Sequence, residues 1–290
     1  MRVHPLILGL LFLVASGLGA CSPLQPPYAG APGLGDTFYP LMGNGGYDVQ
    51  HYLLDLDVDV PTNTITATAT ILAEATHPLS SFNLDLAGLT VEAVAVDGAE
   101  ARFSRVESEL TITPTLALAD GQRFSTTVDY GGEPQPIGDP GASYSEVGWL
   151  TQIDGIFVAS EPSGAMGWYP VNNHPQDKAS YTFRVGVAPN YVVAANGLLT
   201  DVHEDAGRII YTWETSDNTA SYLATIHIGH YDIEVSESPD GIPIRNYFPK
   251  GTPRSVQSKF EKTGEMIDFL SDLIAPYPFE VYGVALLNQD

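Results

Sequence analysis

The chain has 290 residues, of which 44% are hydrophobic, so it is long enough and apolar enough to bury a large core. Asp and Glu number 35 against 12 Lys and Arg, which gives a formal net charge of −23. A surface this acidic repels phosphate backbones and makes nucleic acid a poor partner, although it tolerates cationic peptides. The same charge also keeps a protein soluble, so it does not identify a partner by itself.

The first 21 residues have the pattern of a lipoprotein signal peptide. Arg2 and His4 precede an apolar run over residues 6–14, which is too short to span a bilayer. The run Leu-Gly-Ala-Cys at 18–21 looks like a bacterial lipobox, in which cleavage before Cys21 leaves a terminal thiol that carries acyl chains. A chance lone cysteine is the alternative. We predict an exported protein, anchored to a membrane of the cell envelope through lipid on Cys21.

Residues 22–46 are rich in Pro and Gly and show no periodic apolar pattern. This composition is typical of a semi-extended linker. We therefore predict a tether between the lipid anchor and the folded body.

Two-residue alternation begins the folded body. Every second residue is apolar from Leu54 to Val60 and again from Ile65 to Ile71, with a turn over residues 61–64, so the pair predicts a β-hairpin with one buried face. Further short strands follow over residues 82–130 and 181–228. Strands at this spacing predict a large antiparallel β-sandwich or saddle over residues 47–249 rather than βαβ units.

The pattern changes at Lys250. Apolar residues then follow helical spacing up to Ile274, with Ser255 placed to cap the helix, and a run over residues 281–287 predicts a strand. One helix and one strand cannot bury their apolar faces well against each other. Residues 250–290 are therefore interpreted as the opening of a second domain whose remainder is missing.

Six ordered segments carry a more specific pattern. They are Tyr47–Tyr52, the run GIFVASEP…GWYPVNNHPQDKA over Gly155–Ala179, Asn196–Leu199, Ala220–Ala224, Asp240–Arg245 and Pro276–Gly283. The second segment resembles the hallmark of the N-terminal domain in the aminopeptidase N family of zinc peptidases, and the last resembles the first helix-to-strand step of the catalytic domain in that family. The resemblance implies a mainly β, saddle-like domain leaning on a thermolysin-like α+β domain, of which this chain holds only the beginning.

The resemblance implies zinc in the full-length enzyme but none bound by this chain. In the family, two histidines of an H-E-x-x-H helix share one face and bind the metal, while the glutamate activates the metal-bound water. No such motif is present, and the nearest string, His203-Glu204-Asp205-Ala206-Gly207, has glycine in place of the second ligand. We therefore assign no catalytic and no metal-binding residue to these 290 positions.

One functional residue carries over from the resemblance. In the family, an acidic residue just before a proline binds the free α-amine of the peptide substrate, and Glu161 before Pro162 matches that position. A carboxylate and an ammonium at a desolvated site form a strong charge-assisted contact. Many relatives have a glutamine two residues earlier, where this sequence has Ala159. A solvated loop glutamate is the simpler interpretation of Glu161.

Other polar residues have structural interpretations. The aspartates at positions 55, 57 and 59 lack the glycine of a calcium loop and, at period two, share the exposed face of a strand. His227 and His230 are three residues apart, which places them on opposite faces of a strand. His174, between Asn173 and Pro175, is typical of a turn.

Taken together, these observations predict the N-terminal part of an exported, lipid-anchored zinc aminopeptidase that releases N-terminal residues from peptides. This part would supply amine recognition through Glu161 and the structural β domain, while the missing C-terminal region would supply catalysis, so the chain alone is expected to be inactive. The alternatives are a non-catalytic cell-surface β module that binds protein or carbohydrate, and a truncated paralogue that regulates or scaffolds.

Overall fold

A computed structural model describes residues 25–139 and 146–288. The signal peptide and Cys21 lie outside the described residues. The strands are β1 (Tyr28–Ala29), β2 (Tyr47–Asp59), β3 (Thr64–Ala75), β4 (Leu79–Asp85), β5 (Thr90–Val96), β6 (Ala99–Glu100), β7 (Arg102–Val106), β8 (Glu109–Thr113), β9 (Arg123–Gly132), β10 (Gly148–Gln152), β11 (Gly155–Ala159), β12 (Lys178–Val187), β13 (Val192–Ala195), β14 (Leu198–Asp205), β15 (Arg208–Ala220), β16 (Ile226–Gly229), β17 (Tyr231–Glu237), β18 (Pro243–Pro249) and β19 (Tyr282–Ala285).

Helices are few and short in the described part of the chain. They are α1 (Arg254–Gln257) and α2 (Thr263–Leu273), with single 3₁₀ turns at Gly164–Gly167, Ser221–Leu223 and Ser258–Phe260. None of these helices is long and apolar enough to cross a bilayer. The mainly β architecture predicted from the sequence is confirmed.

Four sheets share one core. The largest has eight strands in the order β14-β15-β12-β2-β3-β9-β5-β6, and two four-stranded sheets have the orders β1-β4-β8-β7 and β10-β11-β16-β13. The remaining sheet, β17-β18-β19, holds the last described strand. Most neighbours are antiparallel, but β2 pairs in parallel with β12, which lies more than a hundred residues later in the chain.

Alternation along β2 explains which face of the large sheet is buried. Tyr52, Leu54, Leu56 and Val58 are at most 1% exposed and face the core, whereas the aspartates between and after them point to solvent. A strand turns successive side chains to opposite faces, so this pattern follows directly from the sequence. Buried tyrosines, tryptophans and phenylalanines dominate the adjoining core, where Tyr52 and Tyr181 stack with their ring centres 5.1 Å apart.

Much of the segment predicted to be a tether packs against the β domain. β1 pairs in parallel with β4, the amide of Gly45 donates to the carbonyl of Ala31 at 2.9 Å, and Asn44 is completely buried. Proline and glycine give this segment no apolar period, but its backbone and amide groups form hydrogen bonds with the domain. The segment that could act as a tether is therefore shorter than residues 22–46 and ends before Tyr28.

The tail differs from the single helix predicted from its periodicity. α1 and α2 are separate, and no side chain caps α1, so the predicted cap at Ser255 is wrong. The hydroxyl of Thr263 donates to the carbonyl of Phe260 at 2.7 Å and takes an acceptor that a continuous helix would use. The predicted strand is present as β19, which pairs in parallel with β18.

One face of α2 is apolar and exposed. Its side chains, with that of Ile274 directly after the helix, are between 50% and 78% accessible; they are Met266, Phe269, Leu270, Leu273 and Ile274. Only Gly264 and Ile267 of this helix are buried.

Candidate functional site

A hairpin of two strands brings the predicted amine-binding residue to the end of an inner strand of a small sheet. β10 and β11 pair in register from Gly148 opposite Ala159 to Gln152 opposite Gly155. The other edge of β11 pairs with β16. β11 is an apolar strand buried along its first four residues, and its last residue, Ala159, emerges into solvent. Glu161 follows two residues later.

The backbone around Glu161 is fixed although its side chain is exposed. Ser160 is buried and its carbonyl accepts a hydrogen bond from the amide of Gly164 at 2.7 Å. The peptide bond between Glu161 and Pro162 is cis. The Glu161 carboxylate forms no hydrogen bond and no ion pair with any residue that the structure describes. This arrangement leaves a negative charge free to meet a cationic group from outside the domain.

Asn173 organises this loop from the opposite side. Its side-chain amide donates to the carbonyl of Ser163 at 2.8 Å, and its side-chain oxygen lies 3.3 Å from the hydroxyl of Ser221. Its own backbone amide donates to Asp85 at 3.0 Å. Asn173 is a positioning residue that sequence reasoning missed. The signal was a pair of asparagines in an otherwise apolar segment, which predicted a turn and was not connected to Glu161.

An apolar depression lies beside Glu161. Its volume is about 600 Å³, and a second exposed glutamate, Glu146, stands at its rim. The walls are largely apolar and come from β10, β11, the 3₁₀ turn after β15 and the end of the described chain; they include Leu150, Phe157, Tyr222, Leu223 and Leu287. The site thus combines a carboxylate with an apolar surface.

A buried polar network supports the site from below. The Asn172 side-chain oxygen accepts from the amide of Asn44 at 2.6 Å, and the Asn44 side chain donates to Asp85 at 3.0 Å. Asp177 accepts from the amide of Val49 at 3.1 Å. Burial raises the pKa of both aspartates to about 7, although backbone hydrogen bonds from Asn173 and Gly43 to Asp85, and from Val49 to Asp177, oppose the shift. Residues 172–177 therefore connect the start of β2, through hydrogen bonds, to the loop that carries Glu161.

The histidines have structural partners. The backbone amide of His174 donates to Asn172 and its Nδ1 accepts from the amide of Gln176, as expected of a turn. Nε2 of His227 lies 3.1 Å from the hydroxyl of Thr225, and burial lowers the pKa of His227 to about 4, which keeps it neutral. The ring of His230 stacks on Tyr191 instead.

The residues that the structure describes do not fit a zinc site. They contain no group of three or more His, Cys, Asp or Glu side chains that could hold a metal ion. His203, the first residue of the string nearest to a zinc motif, lies on the exposed edge strand β14 and its Nδ1 contacts Asp201 at 2.5 Å. No reaction step can be assigned to a metal within this part of the chain.

Comparisons with known proteins agree with one another. The sequence model of the peptidase M1 N-terminal domain matches residues 48–223. The crystal structure of the M1 zinc metallopeptidase from Deinococcus radiodurans superposes with a TM-score of 0.82 at 30% identity, covering 89% of this chain and 60% of that one. A variant of that enzyme bound to a Tyr-Ser-Ala substrate superposes with a TM-score of 0.81 at 32% identity, covering 88% and 60%.

A curated relative is also similar. Leucyl aminopeptidase from Saccharolobus solfataricus is 25% identical over 152 residues, which are 51% of this chain and 18% of that protein. The chain therefore spans about 60% of the solved structures and a smaller share of this relative.

Proposed function

The chain belongs to the M1 peptidase family through that family's N-terminal domain, and from this premise we propose that it is the amine-recognition and structural part of an exported zinc aminopeptidase. Glu161 binds the α-ammonium group of the peptide's first residue. The observation that carries the proposal is the exposed, unpaired carboxylate of Glu161, which stands on a fixed backbone at the rim of an apolar depression.

Recognition of a free N-terminus requires a charge that has no partner before substrate arrives. A carboxylate already paired within the domain would have to give up that partner, and the exchange would cancel most of the gain. Glu161 has no such partner among the described residues. Ala159 stands where many relatives have a glutamine, so the ammonium group would have one hydrogen-bond partner fewer here. Glu161 therefore contributes a larger part of the free energy with which the ammonium group is bound.

The metal and the catalytic groups belong to the proposed remainder of the enzyme. The residues that the structure describes do not form a metal site, so zinc would be held beyond them, as expected from the similarity to M1 zinc metallopeptidases. The reading frame downstream of the codon for Asp290 should encode H-E-x-x-H. A frame that closes without this motif would favour the alternative of a non-catalytic surface module.

The test of the amine anchor is Glu161→Gln in the complete enzyme, because this change keeps the shape and removes the charge. Loss of the ammonium contact should cost about 2–4 kcal/mol of transition-state binding, or roughly 30- to 1000-fold in kcat/KM. Peptides with a blocked N-terminus should be turned over as weakly as before, since they carry no ammonium group.

The matched control is Glu146→Gln, which removes a charge from the rim of the same depression. It should change kcat/KM by less than about threefold if the effect at Glu161 is specific. Full activity in Glu161→Gln, or an equal loss in both variants, would refute the assignment.

Export and anchoring are tested separately. Expressed with its leader in a bacterium, the protein should partition into detergent and carry acyl mass on Cys21. Cys21→Ser should release it from the membrane or leave it unprocessed. Unchanged mass and unchanged membrane retention in that variant would remove the lipid anchor from the proposal.

A further inference from the structure

A closed loop at the start of the domain holds two large apolar side chains in solvent. The loop runs from Ala31 to Gly45 and closes where the Gly45 amide donates to the Ala31 carbonyl at 2.9 Å. At its tip Phe38 is 88% exposed and Leu41 is 72% exposed. We call residues 31–45 the apolar loop. Water contact with side chains of this size is unfavourable, and an ordered loop that maintains it calls for an explanation.

The apolar loop is fixed, so its exposed side chains cannot turn inward easily. The Asp36 carboxylate accepts hydrogen bonds from the amides of Phe38 at 2.7 Å and Tyr39 at 2.8 Å. The amide of Met42 donates to the carbonyl of Tyr39 at 3.0 Å. The Tyr39 hydroxyl points the other way and donates to Asp139 at 3.3 Å. Tyr39 thus attaches the loop to the domain, while Phe38 and Leu41 stay exposed at the mouth of a depression that they line together with Met166 of the domain.

The segment that contains the apolar loop carries little charge of its own. Between Ser22 and Tyr47 the only charged side chain is Asp36, in a protein with a net charge of −23. The Asp36 charge is partly satisfied by the two backbone amides, which lower its pKa. An uncharged aromatic and aliphatic pair on a firm turn can enter the interface between lipid headgroups and acyl chains.

We propose that the apolar loop inserts Phe38 and Leu41 into the surface of a lipid bilayer and so orients the domain on the membrane. The proposal is strengthened by the proposed lipidation of Cys21 but does not require it. Cys21 lies seven positions before Tyr28, so the chain between them reaches at most about 25 Å when extended. A lipid at Cys21 would therefore keep the base of the loop, three residues after Tyr28, near the bilayer.

A lipid surface fits these features better than a protein partner does. A stable protein interface needs roughly 1,200 Å² or more of buried surface with hydrogen-bonding groups at its rim. Two side chains on one turn provide far less than that. Shallow insertion of a few apolar groups is enough to add to an existing anchor, because membrane attachment sums over separate weak contributions.

Tryptophan placed in the loop tests the insertion directly. The three native tryptophans, Trp149, Trp168 and Trp213, are at most 1% exposed, so quenching by lipid would report mainly on an added one. Phe38→Trp should be quenched by brominated phosphatidylcholine vesicles at least threefold more than Val235→Trp. Val235 is 70% exposed on β17 and serves as the matched control.

Each tryptophan is measured in two forms of the 290-residue chain, lipidated and without the leader. Acyl mass on Cys21 is recorded separately, so a failure of lipidation is distinguishable from a failure of insertion. Phe269→Trp serves as a second comparison because the exposed face of α2 is also apolar. Quenching at position 269 with none at 38 would overturn the proposal, as would equal quenching at 38 and 235.

Partitioning gives an independent readout. Replacing both Phe38 and Leu41 by Ser should lower binding of the leaderless chain to phosphatidylcholine–phosphatidylethanolamine vesicles at least fivefold, whereas Val235→Ser should not. Added phosphatidylglycerol should weaken binding, since the protein is acidic. If the double variant instead changed only the sedimentation coefficient of the free protein, the loop would be a contact between copies and the proposal would be wrong.

Discussion

The buried carboxylate of Asp85 should make the stability of this domain depend on pH in an unusual direction. Asp85 is 3% exposed and has no cationic partner among the described residues. Burial, with a smaller contribution from the charge of Glu109, its neighbour across the β4–β8 pair, raises the pKa of Asp85 from 3.8 to about 7. Asp85→Asn removes the ionisation and keeps the size of the side chain.

The sign follows from proton linkage. Between pH 3.8 and 7 the folded protein holds a proton on Asp85 that the unfolded chain does not, so the stability contributed by this group falls as the pH rises through that interval. One pKa unit corresponds to about 1.4 kcal/mol, so the loss between pH 5 and pH 7.5 is about 3 kcal/mol. The asparagine variant should lose none of it.

Urea unfolding at pH 5 and pH 7.5 provides the measurement. The free energy of unfolding of Asp85→Asn relative to the native sequence should increase by about 3 kcal/mol between the two pH values. The comparison is needed because other groups titrate. Asp177 acts in the same direction, while His227, with its pKa lowered to about 4, contributes stability that is gained as the pH rises toward 6.5. Parallel pH profiles for the two proteins would refute the reasoning.

Three further predictions concern packing and metal binding. Gly43→Ala should lower stability by about 2 kcal/mol or more in thermal unfolding, because φ is +70° and the new Cβ would lie 2.5 Å from Cβ of His174. Gly88→Ala, with φ of +74° and open space, should cost only about 1 kcal/mol. Leu54→Ala in the core should cost about 2–5 kcal/mol in urea, against less than about 0.5 for Leu116→Ala, which is 81% exposed. The purified 290-residue chain should contain no stoichiometric zinc by elemental analysis. Tightly bound zinc at about one ion per chain would contradict the prediction that these residues contain no zinc site.

Local chemistry made much of the fold predictable. The alternation of β2 determined which side chains face the core, because the period of a strand is fixed by its geometry. The aspartates at 55, 57 and 59 face solvent, and Asp55 pairs there with Arg184 at 2.7 Å. The position of Glu161 just beyond an apolar strand was also readable from the sequence.

Long-range pairing was not predictable in the same way. Nothing within β2 specifies β12 as its parallel neighbour, since that choice depends on the whole arrangement of the core. The role of Asn173 was missed for the same reason, because its partners Ser163 and Ser221 come from separate turns. The packing of Asn44 was missed because hydrogen bonds, rather than apolar side chains, attach that segment to the domain.

The parallel pairing of β2 with β12 also determines how long one edge of β2 stays unpaired while the chain is synthesised. β2 ends at Asp59 and β12 begins at Lys178, so roughly 120 residues must be made before one edge of β2 can be covered. At a ribosomal rate of about 5–20 residues per second, that edge stays open for roughly 6 to 24 seconds. An unpaired strand edge in the nascent chain is a site for aggregation. Chaperones that bind the chain during this interval should therefore raise the yield of folded protein.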